Sequence, residues 1–331
     1  MDIRRLISVR EHDPLETVRT LLLQVWKNGG LEGLFALAWR REYQIAQSIL
    51  LTDPEIIPLV DPFAPVMLGN SATMAVNILR ANPGRRYGFL LRPCELRSFK
   101  VLAKWQELDL SQTLLISIDC LSVFPLDEFE WRMGEIDDCV QITHDLIQFA
   151  SQGGILPSRF KLSCQLCERP FPKEADLHIE LLGLKTGEHL VIGLRDQALV
   201  EQLGLEDMIL GKVPAEVNDC RELVLEKLAA WRGRSLAYAQ SHLDENQSTL
   251  EGLTVHLHAC ESCLKRLKDH CPLFEIVWSA SDEGHQEPVL RDWIFSCGGC
   301  GMCEYHCPEN FPLFTVITHL SHLMSEKKSH S

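Results

Sequence analysis

The chain has 331 residues, enough for two domains and a sizeable core. Its content of 46% hydrophobic and 24% charged residues is ordinary for a folded protein. The formal net charge of −14 and the lack of a basic stretch argue against nucleic-acid binding, because nothing would displace counterions from phosphates. No apolar stretch reaches the roughly 18 residues that a membrane-spanning helix needs, and the N-terminal residues lack the apolar core of a secretory signal. We therefore expect a cytoplasmic protein that contacts neither nucleic acid nor membrane.

The first 80 residues are predicted to be helical on either side of a shaped loop. Residues 15–50 show helical spacing of apolar side chains, with Asp13 and Pro14 suited to cap and open the first helix. Residues 52–70, TDPEIIPLVDPFAPVMLGN, contain four prolines, which remove backbone donors and predict an extended loop. SATMAVNILRA then resumes a helical pattern, and Ser71 could cap it.

The middle of the chain alternates between strand and helix patterns. RYGFLLR predicts a buried strand, PCELRSFKVLAKWQEL a helix opened by Pro93, and TLLISIDC a second strand, which together make one parallel β-α-β unit. DLHIELLGLKTGEHLVIGL predicts two strands joined by a turn, and residues 214–242 predict a long amphipathic helix. The polar segment DENQSTLEG is the best domain boundary. The fold class is thus α/β (α+β), with a mixed, partly parallel sheet and flanking helices over residues 1–245.

The C-terminal run CGGCGMCEYHCP, residues 297–308, indicates a second domain over residues 251–325. Its spacing, C-x2-C-x2-C-x3-C-P, is the one that ferredoxins use to bind cubane iron–sulfur clusters. Zinc also takes four cysteines, but its sites usually consist of two separated C-x2-C pairs. Cys297, Cys300 and Cys303 are therefore predicted to bind one [4Fe–4S] cluster, while Cys307 belongs to the other cluster in two-cluster ferredoxins. The domain is predicted to be a small ferredoxin-like iron–sulfur domain.

An incomplete partner run, HACESCLKRLKDHCP, lies upstream. Cys260, Cys263 and Cys271 keep the first spacing and the Cys-Pro ending, but Arg266 stands where a third ligand is expected. With Cys307, the run has three obvious thiolates and is one ligand short. Two interpretations remain open: an unusual ligand such as His258, His270 or a distant cysteine completes a second cluster, or that cluster has been lost.

A third group of cysteines is spread over the N-terminal domain. Cys164-x2-Cys167 alone is ambiguous between a redox dithiol, a zinc knuckle and a cluster site. Cys94 and Cys120, however, follow two neighbouring parallel strands, whose carboxyl ends meet at the crevice where open α/β sheets bind ligands. We therefore predict that Cys94, Cys120, Cys164 and Cys167 bind a [4Fe–4S] cluster; the alternative is separate free thiols. The two remaining cysteines, Cys139 and Cys220, are predicted to be buried and inert.

Four sequence blocks, in order over about residues 55–195, carry a family resemblance: DPFAPVMLGNSA, LLRPCELRSFKVLAKWQ, ISIDCLSVFP and CQLCERPFPKEADLHI. Together they resemble the beta-subunit family of coenzyme F-420 hydrogenases and formate dehydrogenases. The resemblance implies an electron-transfer subunit with a cubane cluster on Cys94, Cys120, Cys164 and Cys167, and with a flavin, FAD. Leu68-Gly69 departs from the family's Pro-Val in the loop that would shape the flavin pocket.

A flavin or an anionic carrier would be placed in the same crevice of the sheet. Arg92 and Arg97 could anchor a pyrophosphate through charge-assisted hydrogen bonds. The candidate cofactor-binding residues are Pro65, Asn70, Arg92, Glu95, Arg97 and Asp119. No catalytic Ser/His/Asp or paired-carboxylate arrangement stands out.

The preferred hypothesis is an iron–sulfur electron-transfer subunit, with two or three [4Fe–4S] clusters, of a cytoplasmic oxidoreductase complex. Its partners would be redox subunits of dehydrogenase, hydrogenase or heterodisulfide reductase type, and a soluble hydride carrier. The alternatives are a self-sufficient flavin-dependent oxidoreductase of a deazaflavin or nicotinamide, and a zinc-stabilised assembly or regulatory protein. The predicted metal ligands are Cys94, Cys120, Cys164, Cys167, Cys260, Cys263, Cys271, Cys297, Cys300, Cys303 and Cys307.

Overall fold

A computed structural model describes residues 3–154, 159–172, 174–274 and 286–329 of the chain. Its strands are β1 Ile3–Ser8, β2 Gly33–Arg40, β3 Ile45–Leu51, β4 Tyr87–Leu91, β5 Thr113–Ile118, β6 Leu177–Glu180, β7 His189–Leu194 and β8 Ile209–Lys212. They form one eight-stranded sheet in the order β3-β2-β4-β5-β6-β7-β1-β8. The neighbours β2–β4, β4–β5 and β5–β6 are parallel, and the other pairs are antiparallel.

Helices flank this mixed sheet, so the predicted fold class is confirmed. The α-helices are α1 Pro14–Asn28, α2 Ala72–Ala81, α3 Pro93–Trp105, α4 Leu126–Gly134, α5 Gln141–Ile147, α6 Leu162–Gln165, α7 Gln197–Leu203, α8 Ala215–Gln240, α9 Leu250–Ala259, α10 Glu261–His270, α11 Gln286–Ser296, α12 Met302–Tyr305 and α13 Leu313–Ser329. Within the described ranges, no helix combines the length and the apolar character needed to cross a membrane.

The predicted β-α-β unit is confirmed as β4, α3 and β5. Tyr87 lies opposite Thr113 and Leu91 opposite Ser117 in a parallel register. Pro93 occupies the first turn of α3, where its missing N–H costs no hydrogen bond. The predicted pair of strands over residues 176–194 is also confirmed, since β6 and β7 are antiparallel neighbours.

The prediction that residues 15–50 are rich in helix is wrong beyond α1. Residues 33–51 instead form β2 and β3, which pair with Leu34 opposite Leu51 and Arg40 opposite Ile45. Nearly all of β2 is buried, so its apolar run GLFALAWR reflects a strand covered on both faces rather than one face of a helix. When an apolar run is short and continuous, its periodicity alone does not distinguish a buried strand from a buried helix.

Two hydrophobic clusters cover the two faces of the sheet. Along β2, Leu34, Ala36 and Ala38 belong to one cluster, whereas Phe35 points into the other, as expected for side chains that alternate across a strand. The second cluster combines side chains of α2 and α3 with side chains of the C-terminal helices, including Leu253 and Trp293. The described C-terminal residues of this cluster, within 250–274 and 286–329, therefore pack on the same face of the sheet as α2 and α3.

Candidate metal centres and an adjoining cavity

The first group of thiols consists of Cys94, Cys120, Cys164 and Cys167, which line one small cavity. Cys94 lies in the first turn of α3 and Cys120 follows β5, so the parallel pairing of β4 with β5 brings them to the same edge of the sheet. The backbone N–H of Cys120 donates to the carbonyl of Pro170 (2.7 Å), which holds the segment after Cys167 against the end of β5. The structure thus brings the four predicted ligands together, and their binding of iron stays a prediction.

The donor set of this first group suits an iron–sulfur cluster. Burial raises the pKa of Cys94 and of Cys120, and burial together with the neighbouring sulfurs of Cys120 and Cys167 raises the pKa of Cys164 to about 12. A buried thiol with a raised pKa loses its proton when a metal centre binds, because the metal supplies the positive charge that the proton supplied before. Soft sulfur ligands are also those that iron–sulfur clusters require.

Positive side chains surround the first group, although sequence reasoning had singled out only Arg92 and Arg97 among them. Arg232, from the distant helix α8, donates to the Cys167 carbonyl (2.9 Å) and to the Ser122 hydroxyl (3.2 Å). Lys161 is buried, donates to the Met67 carbonyl (2.9 Å) and lies over the Tyr305 ring at 4.2 Å. Burial lowers the pKa of Lys161 to about 8, against the opposing attraction of Cys164 and Cys300.

Replacing Lys161 with methionine is expected to make the reduction potential of a cluster in the first group more negative. A neighbouring positive charge favours the reduced, more negative form, and at an effective dielectric constant of about 20 it contributes about 1–3 kcal/mol, or roughly 40–130 mV. A redox titration at pH 7 followed by EPR measures the shift. Lys161→Arg, which keeps the charge, is the matched control; equal potentials in wild type and Lys161→Met would exclude this role.

The second group of thiols joins the C-terminal triplet to a cysteine of the upstream run. Burial raises the pKa of Cys303 well above its ordinary value, and Cys271, Cys300 and Cys297 raise it further. The pKa of Cys271 is raised to about 12 by burial and by Cys297 and Cys300. Trp293 Nε1 donates to the Cys271 sulfur at 3.4 Å. Cys271, Cys297 and Cys303 also pack in one hydrophobic cluster. With Cys300 they form a second set of four cysteines, which suits a cluster as the first does.

The first and second groups are adjacent, and glycines allow this close approach. Cys300 lines the cavity of the first group while interacting with the thiols of the second. A Cβ at Gly298 would lie 2.7 Å from the Cys94 carbonyl oxygen, and a Cβ at Gly301 would overlap the Ser163 side chain. Arg97 Nε donates to the Gly298 carbonyl (3.0 Å) and so ties α3 to this loop. Adjacent sites of this kind are suited to electron exchange.

The third group contains Cys260, Cys263 and Cys307. The sulfurs of Cys263 and Cys307 are 3.6 Å apart, and the N–H of Cys263 donates to the Cys260 sulfur at 3.3 Å.

Of the two remaining cysteines, Cys139 is half-buried and Cys220 is exposed, so the prediction that both are buried is wrong for Cys220. Cys220 lies on the exposed side of α8. The apolar residues of α8 form only a small stripe, so the sequence of this helix does not show which of its sides faces solvent.

A cavity of about 660 Å³ adjoins the first group of thiols. Its walls come from β2, β3, the loop 66–71 and the face of α2 that carries Thr73, Met74 and Asn77. Arg92 and Met67 line both this cavity and that of the thiols, so they lie between the two. A volume of this size is in the range of sites for small molecules and cofactors.

Three of the candidate cofactor-binding residues, Asn70, Arg92 and Glu95, line this large cavity. The guanidinium of Arg92 donates to the carbonyls of Val66 (2.8 Å) and Ala64 (2.6 Å), and so holds the proline-rich loop in shape. Glu95 accepts from the Ser71 hydroxyl (2.5 Å) and from the backbone N–H of Arg92 (3.0 Å). Asn70 donates to the Ser98 hydroxyl (3.2 Å).

The other three candidates, Pro65, Arg97 and Asp119, are not among the residues that line the large cavity. The carbonyl of Pro65 accepts from the N–H of Phe124 (2.8 Å), and Arg97 contacts Gly298 as described. Asp119 is fully buried and forms a bidentate ion pair with Arg221, at 2.6 and 3.1 Å. The contacts of these three residues hold the surrounding segments in place.

The comparisons with known proteins agree with this architecture. No family model matches the chain. The chain is 24% identical over 264 residues, 68% of either protein, to the F420-dependent formate dehydrogenase subunit beta of Methanocaldococcus jannaschii. A chain of the F420-reducing [NiFe] hydrogenase complex from Methanosarcina barkeri has a similar fold, with a TM-score of 0.50 over 72% of this chain and 92% of that chain at 10% identity.

Proposed function

We propose that this chain belongs to the beta-subunit family of coenzyme F420 hydrogenases and formate dehydrogenases and is the electron-transfer subunit of a cytoplasmic redox complex. Its similarity to a formate dehydrogenase beta subunit supports the proposal. The observation that carries the proposal is the sequence of three adjoining sites. The large cavity borders the first group of thiols through Arg92 and Met67, and that group borders the second through Cys300. Such a series would carry electrons from a soluble carrier at the cavity, through the first group, to the second group.

The residues of this chain would hold the cofactors as follows. Cys94, Cys120, Cys164 and Cys167 would bind one [4Fe–4S] cluster, and a second set would bind another, namely Cys271, Cys297, Cys300 and Cys303. A flavin, FAD, would occupy the large cavity beside the loop that Arg92 shapes. When bound, a flavin accepts a hydride and releases single electrons, which iron–sulfur clusters carry.

The protein's own groups supply charge and exclude water around these sites. Lys161 and Arg232 are both buried and place positive charge next to the first group, which would offset the negative charge of a thiolate-bound cluster. The thiols of both groups are buried or half-buried, which limits their contact with solvent. No acid or base in these sites is needed for single-electron transfer.

The partners proposed for this chain are other redox subunits and a soluble hydride carrier. The similar proteins are named as a formate dehydrogenase subunit and as a chain of a hydrogenase complex, which supports a partner of formate dehydrogenase or hydrogenase type. A partner of heterodisulfide reductase type is proposed beside these two. A second candidate, a self-sufficient flavin-dependent oxidoreductase of a deazaflavin or nicotinamide, is favoured by the volume of the cavity. Reduction of such a carrier by the isolated, flavin-loaded chain would distinguish this enzyme from a subunit that needs its partners.

Filling the large cavity is expected to remove the flavin and leave the iron. Asn77→Trp introduces a large side chain from the exposed surface of α2 into the cavity, and flavin affinity should fall about tenfold or more, that is by about 1.4 kcal/mol. Arg80→Trp is the matched control, because Arg80 is exposed on the same helix but does not line the cavity. Flavin and iron per chain are measured after anaerobic reconstitution with FAD. Equal flavin contents in both variants, or none in the wild type, would contradict a flavin in this cavity.

A further inference from the structure

His256 completes the third group of thiols. One ring nitrogen of His256 and the sulfurs of Cys260 and Cys263 all lie within 4.8 Å of one another. Cys307 approaches from the other cysteine run: its sulfur is 3.6 Å from that of Cys263, although it does not lie within 4.8 Å of all three. The group therefore offers three thiols and one imidazole, the four ligands that a tetrahedral ion requires.

Local structure explains why His256 meets these cysteines. His256 lies on α9 and Cys260 follows that helix four residues later, so the two side chains are neighbours on one side of the helix end. Cys263 lies in the first turn of α10, and its N–H donates to the Cys260 sulfur. The His256 ring stacks on Phe311, with ring centroids 3.7 Å apart and planes inclined by 14°. Its orientation is thereby fixed.

An unsatisfied polar atom also marks this position. Among the described residues, His256 Nε2 is buried without a hydrogen-bond partner, as are His270 Nε2 and His306 Nε2, and a buried polar atom of this kind normally has one. His270, which the sequence offered as a candidate ligand, instead stacks on His306 with ring centroids 3.8 Å apart. Within the part of the chain that the structure describes, the compact group of ligand atoms contains His256 and neither His258 nor His270.

The spacing of the ligand atoms favours one ion over a cubane cluster. In a tetrahedral zinc site with Zn–S bonds of about 2.3 Å, two sulfurs lie about 3.8 Å apart, close to the 3.6 Å between Cys263 and Cys307. A cube of iron and sulfide separates its thiolates further, because the cluster itself lies between them. Among described residues, neither of the other two groups brings three such ligand atoms within 4.8 Å of one another. His256, Cys260 and Cys263 are thus closer together than any three ligand atoms of the two proposed cluster sites.

We propose that His256, Cys260, Cys263 and Cys307 bind a single zinc ion, so that this half of the ferredoxin-like domain is a structural site without redox chemistry. The inference goes beyond the proposed electron-transfer function and does not depend on it. A zinc ion here would fasten α9 and α10 to the segment that follows the C-terminal triplet. A zinc site also explains why Arg266 can stand where a ferredoxin has its third cysteine: three cysteines and one histidine complete the zinc ligands without a ligand at that position.

The test measures metal content in the full chain, purified anaerobically and treated with EDTA to remove loosely bound ions. About one zinc per chain is expected in the wild type, and X-ray absorption at the zinc edge should show about three sulfur ligands and one nitrogen ligand. His256→Ala should lose most of the zinc, while the matched control His258→Ala, at an exposed neighbouring position outside the group, should keep it. His256→Cys should keep the zinc and change the ligand shell to about four sulfurs.

His256→Cys also keeps the test decisive if His256→Ala does not fold. The proposal is overturned if the wild type contains no zinc, or if about four further irons occupy the third group as a cluster. It is also overturned if the zinc edge shows no nitrogen ligand or if His256→Ala retains its zinc. Because zinc is counted separately from the irons of the first and second groups, a failure here leaves the proposed electron-transfer function testable on its own.

Discussion

Cys120→Ala is expected to remove about four irons and a similar number of acid-labile sulfides from the anaerobically reconstituted chain. Cys120 is one of the four thiols of the first group, whose other members are Cys94, Cys164 and Cys167. With one thiolate missing, one iron of the cube would have no protein ligand at this position, so the cluster should not be retained. The EPR signal of the second group should remain, since its four cysteines are unchanged.

Cys220→Ala is the matched control for this experiment, because Cys220 is exposed and lies outside all three groups. It should bind as much iron as the wild type. If Cys120→Ala also bound iron like the wild type, or if both EPR signals vanished together in a folded protein, the assignment of separate first and second sites would be wrong.

Asp119→Ala is expected to destabilise the fold by about 3–5 kcal/mol, the usual cost of breaking a buried ion pair from one side. The carboxylate accepts from Arg221 and from the backbone N–H groups of Leu181 (2.8 Å) and Leu182 (2.9 Å). The Arg221 guanidinium also contacts Glu180 (2.8 Å), whose other partner is Arg4 (2.7 Å). Removal of Asp119 leaves part of the Arg221 charge buried without its main partner.

Urea unfolding of the chain measures this loss. Glu287→Ala is the control, because Glu287 forms an exposed pair with Arg291 one turn away, and such pairs contribute about 0.5 kcal/mol or less. The double change Asp119→Ala with Arg221→Met should recover much of the loss, since it removes both charges. A variant with unchanged stability but lost flavin would contradict the structural role and favour cofactor binding by Asp119.

The sequence predicts those parts of the site that depend on local pattern and simple topology. Two buried strand patterns separated by one helix predicted parallel pairing, and Cys94 and Cys120 therefore lie at the same edge of the sheet. The spacing of the C-terminal cysteines likewise predicted that Cys307 belongs with the upstream run, and its sulfur contacts Cys263. In both cases the relevant residues are close in sequence to the element that positions them.

Contacts between distant segments escaped prediction. Arg232 reaches the Cys167 carbonyl from a helix 65 residues away, and nothing in the pattern of that helix distinguishes it from other arginines. Lys161 precedes Cys164 by three residues, but only packing against Met67 and Tyr305 makes it a buried charge. His256 lies four residues before Cys260, outside the C-x2-C spacing, so the cysteine pattern does not predict it as a ligand.

The polar segment 244–252 was predicted as a domain boundary from its lack of core-forming residues. In the structure, hydrophobic side chains after this segment, such as Leu253 and Trp293, share one cluster with Phe89 and Phe99. Hydrophobic burial against the sheet thus fastens the C-terminal helices to the remainder of the chain. This packing brings Cys300 to the first group, which the linker composition alone does not reveal.

Quantification of iron and acid-labile sulfide in the anaerobically reconstituted wild-type chain, with EPR of the reduced protein, tests the central claim most directly. We predict about eight irons and eight sulfides per chain, with two interacting cubane signals, as expected for adjacent [4Fe–4S] clusters. Fewer than about two irons per chain, with zinc bound in place of iron at the first and second groups, would contradict the account and favour a zinc-stabilised protein.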